Sequence, residues 1–188
     1  MRFATMSLIE VAAAVATHLK THGIEVVVVG GSAITAHAPN VYTSMDIDFA
    51  VTSGIDRRRI NLALAELGFR RRGRTFLHPD ITYSLDFVAD RPYIEQQPVY
   101  DFAEIPTPVG NVRVLHLEDA IADRVAAFLH WSDSESLNAA ERAAADARDR
   151  LTWERIDAAL QRLDTSLPGT ALRMTLARER LHRAVTGD

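Results

Sequence analysis

Several residue types and sequence features that define common protein classes are absent from this 188-residue sequence. There is no cysteine, which excludes disulfide bonds, thiolate metal sites and a cysteine nucleophile. No apolar run approaches the roughly 20 residues needed to cross a bilayer, and the longest, around Val26–Val29, has the length of a strand. The first ten residues lack the apolar stretch and cleavage site of a secretory leader. We therefore expect a cytoplasmic protein without a membrane partner.

The motifs of three common enzyme classes are also absent. The seven histidines show no His-Glu-x-x-His spacing, and no Gly-x-Ser-x-Gly turn is present. Zinc-dependent and serine-dependent hydrolysis are therefore disfavoured. No Gly-Lys-Ser or Gly-Lys-Thr follows a glycine-rich loop, so a P-loop is excluded.

The composition is that of an ordinary globular protein, with 47% hydrophobic and 24% charged residues and a formal net charge of -4. The basic residues are nevertheless clustered. Arg57 to Arg59 form one cluster, and Arg70 to Arg72 with Arg74 form another. Either cluster fits a solvated helix or strand edge as well as it fits a surface that attracts phosphate groups. Both interpretations stay open at this point.

Hydrophobic spacing and turn residues predict alternating helices and strands up to about residue 115. Ser7-x-x-Glu10 has the form of a capping box, and Gly23 offers a left-handed helix end. A buried strand then runs into Gly30-Gly31. The predicted helices are 7–21, 32–38 and 55–67, and the predicted strands are 24–29, 44–51, 69–76, 81–88 and 109–115, the last as a hairpin or edge strand.

From Leu117 onward the strand signals disappear, and four helices are predicted near 117–130, 135–150, 152–164 and 170–185. The sequence therefore predicts an α+β fold with a helical appendage. We place the boundary near His116, which gives an α/β core of residues 1–115 and a helical subdomain of residues 116–188.

The segment from residue 24 to residue 51 combines a glycine turn with a pair of acids. Gly30 and Gly31 permit positive φ and a close backbone approach, and the amides that open the next helix can point at a phosphate. Ser32 adds a hydroxyl group. Asp46 and Asp48 are alternate residues of one predicted strand, so their carboxylates face the same side and can converge on a cation such as Mg²⁺.

A third acid, Asp86, lies inside another predicted strand and can hold a second metal ion or act as a base. A glycine pair alone is more often an ordinary turn, and an Asp-x-Asp pair alone is more often a solvated strand face. Here the acids interrupt apolar strands, and burying an unpaired charge is costly. Their combination therefore indicates metal-dependent phosphoryl or nucleotidyl transfer.

These residues resemble the core signature of a known superfamily. Val29-Gly30-Gly31-Ser32, Thr43 to Phe49 and Leu85-Asp86-Phe87 are similar to motifs of DNA polymerase β-like nucleotidyltransferases. Within that superfamily, Gly-Gly-Ser-Ala and Ser-x-Asp-Ile-Asp resemble the AbiEii and MenT toxin-type enzymes. The resemblance covers roughly residues 24 to 90.

The resemblance implies a mixed sheet flanked by helices, with Mg²⁺ or Mn²⁺ held by Asp46, Asp48 and Asp86. It also implies a basic residue on a later helix that contacts the triphosphate, and Arg124 occupies that place although lysine is more usual in the family. The other interpretation of Arg124 is an ion pair with a neighbouring acid. Asp133 matches a later family aspartate but is better explained as a helix cap, and Trp131 is expected in the core.

The resemblance implies transfer of a nucleoside monophosphate from a triphosphate to an acceptor. An RNA 3' end such as that of tRNA is the expected acceptor, with a cognate antitoxin as a protein partner. Transfer to a small molecule or to a protein is the first alternative. The second alternative is a non-catalytic nucleotide-binding module, which would be favoured by an Asp86 turned away from the Asp46/Asp48 pair or by an Arg124 remote from it.

Overall fold

The computed structural model describes residues 3–54, 56–89 and 91–187, and the elements below refer to those residues. Seven helices are present, and Ile55, the first residue of one predicted helix, lies outside the described residues. The helices are α1 (Leu8–Thr21), α2 (Gly30–His37), α3 (Arg57–Glu66), α4 (Leu117–Trp131), α5 (Ser134–Asp146), α6 (Trp153–Leu160) and α7 (Thr170–Thr186). The strands are β1 (Val26–Val29), β2 (Asp46–Val51), β3 (Arg70–Arg72), β4 (Thr75–Leu77), β5 (Ser84–Ala89), β6 (Tyr93–Ile94), β7 (Gln97–Pro98), β8 (Ala103–Thr107) and β9 (Gly110–Val114).

Seven of the strands form one mixed sheet in the order β3-β4-β5-β2-β1-β9-β8. At its centre β1 pairs antiparallel with β2, whereas β2 pairs parallel with β5 and β1 pairs parallel with β9. The remaining two strands, β6 and β7, form a separate small hairpin. The predicted α+β class with a mixed sheet flanked by helices is confirmed.

The helix α1 begins and ends at the predicted signals. The Ser7 side chain accepts from the Glu10 backbone N–H, and Glu10 accepts from the Ser7 backbone N–H, which completes the capping box. Gly23 follows the helix with a φ of 69°. Between these ends α1 buries Val11, Val15 and other apolar side chains against the sheet and α2.

Two strand predictions are refined by the structure. Residues 69–76 were predicted as one basic strand, but Gly73, with a φ of 64°, turns the chain so that β3 and β4 form a hairpin. The alternative of a hairpin near residues 109–115 is realised by β8 and β9. Glycine at positive φ reverses a strand that its neighbours alone would extend.

The four predicted helices of the carboxyl-terminal part are present as α4 to α7. The helix α4 packs against α5, α6 and α7, and its other side contacts α2. Apolar side chains from both the sheet and these helices therefore belong to one continuous core. No helix among the described residues is long and apolar enough to cross a membrane.

Candidate active site

The turn after β1 brings glycine backbone against a carboxylate. Gly30 has a φ of 64°, and a methyl group on its Cα would lie 2.5 Å from Asp48 Oδ2. The cause is strand register, because Val29 is the direct partner of Asp48 across β1 and β2. Gly31 is similarly crowded, since a methyl group there would lie 3.1 Å from the Tyr42 hydroxyl. Only glycine allows this approach at position 30 without displacing the acid.

The helix α2 starts directly at Gly30, and no side chain caps its first turn. Amides at such a helix start point along the axis and favour an anion. Ser32 is fully buried, and its hydroxyl donates to the Val29 carbonyl at 2.7 Å while accepting from the Asp48 backbone N–H at 3.1 Å. The Ser32 hydroxyl therefore links the turn to β2. It can donate to a phosphate only if it gives up its hydrogen bond to the Val29 carbonyl.

The three predicted acids share one face of the sheet. Asp46 and Asp48 alternate along β2, and the parallel register pairs Asp48 with Asp86 of β5. Asp86 is thus directed to the same side as the pair. Asp46 is exposed, and its Oδ1 accepts from the Ser44 hydroxyl at 2.9 Å. Asp48 is half-buried and Asp86 is buried.

Asp48 carries the electrostatic cost of this arrangement. Burial raises the pKa of its carboxyl to about 7, and the nearby charge of Asp46 acts in the same direction. Arg124 partly opposes the rise, whereas Asp86 and Asp123 add to it. At neutral pH, ionisation of this carboxyl costs free energy unless a cation binds beside it. That is the behaviour expected of a carboxylate that holds a metal ion.

Asp86 has a cation partner already. Arg74, from the turn between β3 and β4, places its Nε 3.1 Å from Asp86 Oδ2, although the arginine side chain is 86% exposed. The guanidinium therefore covers the buried acid from solvent. A metal ion that recruits Asp86 has to compete with this contact.

The donor set fits Mg²⁺ or Mn²⁺, because both ions prefer oxygen ligands. Mg²⁺ usually takes one or two carboxylates and completes its shell with water and substrate phosphates. Asp46 and Asp48 supply two carboxylates. Among residues 3–54, 56–89 and 91–187, the three aspartates do not bring three carboxylate oxygens within 4.8 Å of one another. A site built on the Asp46/Asp48 pair fits better than a closed three-aspartate cage.

Arg124 lies on α4 and faces the same cleft. Its Nε and Nη2 donate to Asp123 Oδ2 at 3.1 and 2.7 Å, and its Nη1 donates to the Ser136 hydroxyl at 3.3 Å. Burial is the largest single influence and works against its charge, but Asp123, Tyr42 and Asp48 together raise the pKa of the guanidinium. Arg124 thus forms the ion pair that one sequence interpretation gave and also lies near Asp48, and its contact with a triphosphate stays a prediction.

Asp133 and Trp131 lie where α4 ends and α5 begins. The Ser136 hydroxyl connects Asp133 to Arg124, because it donates to Asp133 Oδ2 at 2.7 Å and accepts from Arg124 Nη1 at 3.3 Å. The Asp133 carboxylate accepts from the backbone N–H groups of Glu135 and Ser136, so it caps α5, as the sequence indicated. The prediction of a buried Trp131 is wrong, because its side chain is 77% exposed at the end of α4. The helix ends there with Ser132 in a left-handed conformation, which leaves the indole outside the core.

Sequence reasoning did not assign site roles to Tyr42, Ser44, Arg74 and Asp123. Ser44 stands two residues before Asp46, so its position on the same face was accessible from strand periodicity. Asp123 is the sequence neighbour of Arg124, and an ion pair between Arg124 and a neighbouring acid was one of the sequence interpretations. The contacts of Tyr42 and Arg74 depend on how the chain folds back, and no local pattern reveals them.

The two arginine clusters meet in space next to Asp86. Arg57 of α3 and Arg71 of β3 line one pocket together with Arg74, and its floor includes Phe76 and Phe87. We call Arg57, Arg71 and Arg74 the arginine shelf. Through Arg74 the shelf adjoins the carboxylate cleft.

Solved structures of other proteins share this fold. The antibiotic-resistance factor ANT(2'')-Ia aligns over 97% of this chain and 98% of its own, with 15% identity and a TM-score of 0.50. An antigenic nucleotidyltransferase-like protein from Paracoccidioides brasiliensis aligns over 89% of this chain and 92% of its own, with 16% identity and a TM-score of 0.53. No protein-family model and no curated protein matches the chain. The chain therefore has a nucleotidyltransferase-type fold.

Proposed function

We propose that the protein is a metal-dependent nucleotidyltransferase. The observation that carries this proposal is the Asp48 carboxyl, whose pKa is raised to about 7 beside Asp46 and directly against the Gly30 turn. A carboxylate pair that needs a cation, next to an uncapped helix start suited to phosphate, is the combination that nucleotidyl transfer requires. The similarity to nucleotidyltransferase-like folds supports the same activity.

In this proposal Asp46 and Asp48 would hold Mg²⁺ or Mn²⁺, which would neutralise charge on the triphosphate. The backbone at Gly30 and Gly31, the Ser32 hydroxyl and the Arg124 guanidinium bind phosphate oxygens. An acceptor hydroxyl oxygen bonds to the α-phosphorus, the bond to the β-phosphate breaks, and pyrophosphate leaves with the electron pair. Asp86 takes the proton of the hydroxyl as that bond forms.

For the acceptor we propose an RNA 3' end such as that of tRNA. The arginine shelf supports this choice, because it places cationic side chains beside the cleft where a polynucleotide backbone would continue from its 3' terminus. The resemblance to AbiEii and MenT toxins belongs to the same proposal, with an antitoxin protein as partner and the cytoplasm as location. We also propose that residues 1–115 carry the chemistry and that residues 116–188 supply Arg124 to it.

Transfer to a small molecule is the alternative with an observation in its favour. One of the structures that share the fold is described as an antibiotic-resistance factor. In that case the arginine shelf has no role in catalysis. A protein acceptor and a non-catalytic nucleotide-binding module complete the alternatives.

A labelling experiment separates these functions. The protein is incubated with each α-labelled triphosphate, Mg²⁺ and either total RNA or a panel of antibiotics, and the products are resolved by gel and by thin-layer chromatography. We expect label in RNA, and none with the Asp46→Asn/Asp48→Asn variant. Label in a small molecule or in protein supports the alternatives, and absence of label with saturable triphosphate binding supports the non-catalytic module.

Removal of two shelf arginines should weaken RNA use selectively. We expect Arg57→Gln/Arg71→Gln to raise the KM for RNA about tenfold and to flatten its dependence on salt, since fewer phosphates are neutralised. The KM for the triphosphate should not change. Arg58→Gln/Arg72→Gln removes two exposed arginines from the same helix and strand and serves as the matched control. If the two double variants change the KM for RNA equally, RNA binding does not depend on the arginine shelf in particular.

Variants of Arg124 test its role in triphosphate binding. We expect Arg124→Ala to lower kcat/KM by roughly 100-fold to 1,000-fold, the usual effect of losing a donor to developing charge. Arg124→Lys should retain much of the activity, because it keeps the positive charge. The Tm of both variants shows how much stability is lost with the contacts of Arg124 to Asp123 and Ser136, independently of the activity measurement. Activity of Arg124→Ala equal to that of the unmodified protein would reduce this arginine to a structural ion pair.

A further inference from the structure

A cluster of two histidines and a glutamate lies apart from the carboxylate cleft. His18 belongs to the last turn of α1, His22 caps the end of that helix, and Glu66 is the last residue of α3. The two histidines are four residues apart, a spacing that places them on one helix face. The cluster therefore joins the ends of two helices.

The distances within the cluster match those of a tetrahedral metal site. The Nε2 atoms of His18 and His22 lie 3.3 and 3.2 Å from Glu66 Oε2. Bonds of about 2.0–2.2 Å to a tetrahedral zinc ion put neighbouring ligand atoms roughly 3.3–3.5 Å apart. All three candidate ligand atoms lie within 4.8 Å of one another. The three ligand atoms are therefore close enough to share one ion.

Hydrogen bonds already orient one of the two rings for this purpose. The Nδ1 of His22 lies 3.2 Å from the Thr21 hydroxyl and 3.4 Å from the His18 carbonyl, which directs its Nε2 toward Glu66. Contacts of this kind to the second ring nitrogen are typical of metal-binding histidines. His18 Nε2 is 2.9 Å from the Ala63 carbonyl, and a bound ion would replace that contact. The side chains are 21%, 29% and 56% exposed, so an ion can reach them from solvent.

The donor set selects the kind of ion. Two imidazole nitrogens and one carboxylate oxygen suit zinc and neighbouring transition metals, whereas the all-oxygen cleft at Asp46 and Asp48 suits Mg²⁺. The two places are also separate in the fold. His22 precedes β1 and Gly30 follows it, so the strand itself, about 13 Å for four residues, lies between them.

We propose that His18, His22 and Glu66 form a zinc site with one open coordination position, which fastens the end of α1 to the end of α3. The ion binds both helices in the folded protein and finds no such arrangement in the unfolded chain. Zinc is therefore a ligand that stabilises the fold. The proposal stands independently of the proposed nucleotidyl transfer.

Thermal unfolding with and without zinc tests the site. At a free zinc concentration of 100 times the dissociation constant, we expect the Tm to rise by about 5–10 °C. Substitution of Co²⁺ should give one ion per chain with the visible absorption of a tetrahedral complex. The variants His18→Gln, His22→Gln and Glu66→Gln should each lose the shift. His182→Gln, at an exposed histidine of α7, and Asp46→Asn/Asp48→Asn should keep it.

The shift is compared with the Tm of each variant in metal-free buffer, so a variant that is merely less stable still reports on binding. A zinc shift that survives all three cluster substitutions would place the ion elsewhere and overturn the proposal. Absence of any shift in the unmodified protein would overturn it as well. Loss of the shift in the aspartate variant, with retention in the cluster variants, would assign zinc to the carboxylate cleft.

Discussion

Asp48→Asn should lower transfer activity about 1,000-fold and make the protein more stable than the unmodified one, most strongly above pH 7. The folded protein holds the Asp48 proton up to a pKa of about 7, compared with 3.8 ordinarily, mainly because of burial and then because of Asp46. Stability therefore falls as pH rises from about 4 to about 7, since the unfolded chain gives up this proton first. The free energy of unfolding decreases by at most about 4 kcal/mol over this pH range. Asparagine carries no charge, so the variant does not suffer this loss of stability at high pH.

The measurement is thermal unfolding of both proteins at pH 5 and pH 8 without metal. At pH 5, where the unfolded chain has already given up most of this proton, the variant should melt roughly 3–6 °C higher, and at pH 8 the difference should grow to roughly 8–16 °C. Mg²⁺ should raise the Tm of the unmodified protein at pH 8 and leave the variant unchanged. Transfer activity should drop about 1,000-fold, because the ion loses a ligand. Asp80→Asn, at an exposed aspartate, is the control. A variant destabilised equally at both pH values would make Asp48 a structural residue.

Gly30→Ala should lose most activity at only a moderate cost in stability. A methyl group there meets Asp48 Oδ2 at 2.5 Å, and the carboxylate can relieve the contact by turning away from the cleft. Displacing a reacting or metal-binding group by about 1 Å lowers rates roughly 100-fold. The positive φ itself costs about 1–2 kcal/mol for any residue with a Cβ.

Gly73→Ala provides a matched control for the glycine turn. Gly73 has the same φ of 64°, and nothing lies within 4 Å of the position where its Cβ would be. Both variants should therefore lose similar stability in chemical denaturation, and only Gly30→Ala should lose kcat. If the two variants keep equal activity, the close approach of Gly30 and Asp48 has no catalytic importance.

Local signals were sufficient to predict most of the fold. The capping box at Ser7, the glycine after α1 and the alternation of Asp46 to Phe49 each act over a few residues, and each appears as expected. The reversal at Gly73 was missed because the flanking residues read as one continuous strand. Trp131 was misplaced because an apolar side chain near a helix end has no periodicity that separates a buried face from an exposed one.

The candidate site was predictable to the extent that its residues lie on regular elements. Alternation along β2 places Asp46 and Asp48 on one side, but it does not give the pairing of Asp48 with Asp86, which depends on strand order. The contact between Arg74 and Asp86 depends on the β3-β4 hairpin folding over the sheet. Such contacts join residues distant in sequence, and a single sequence holds no local record of them.

The parallel pairing of β1 with β9 has a consequence for synthesis of the chain. The four valines of β1 are covered on one side by β2 soon after translation, but their other edge waits for β9, which ends at residue 114. At about 5–20 residues per second, the nascent chain exposes this edge for roughly 4–17 s. A short valine segment with an open edge is a template for association with another chain. Chaperone binding to ribosome-attached chains should therefore be strongest before residue 114 emerges.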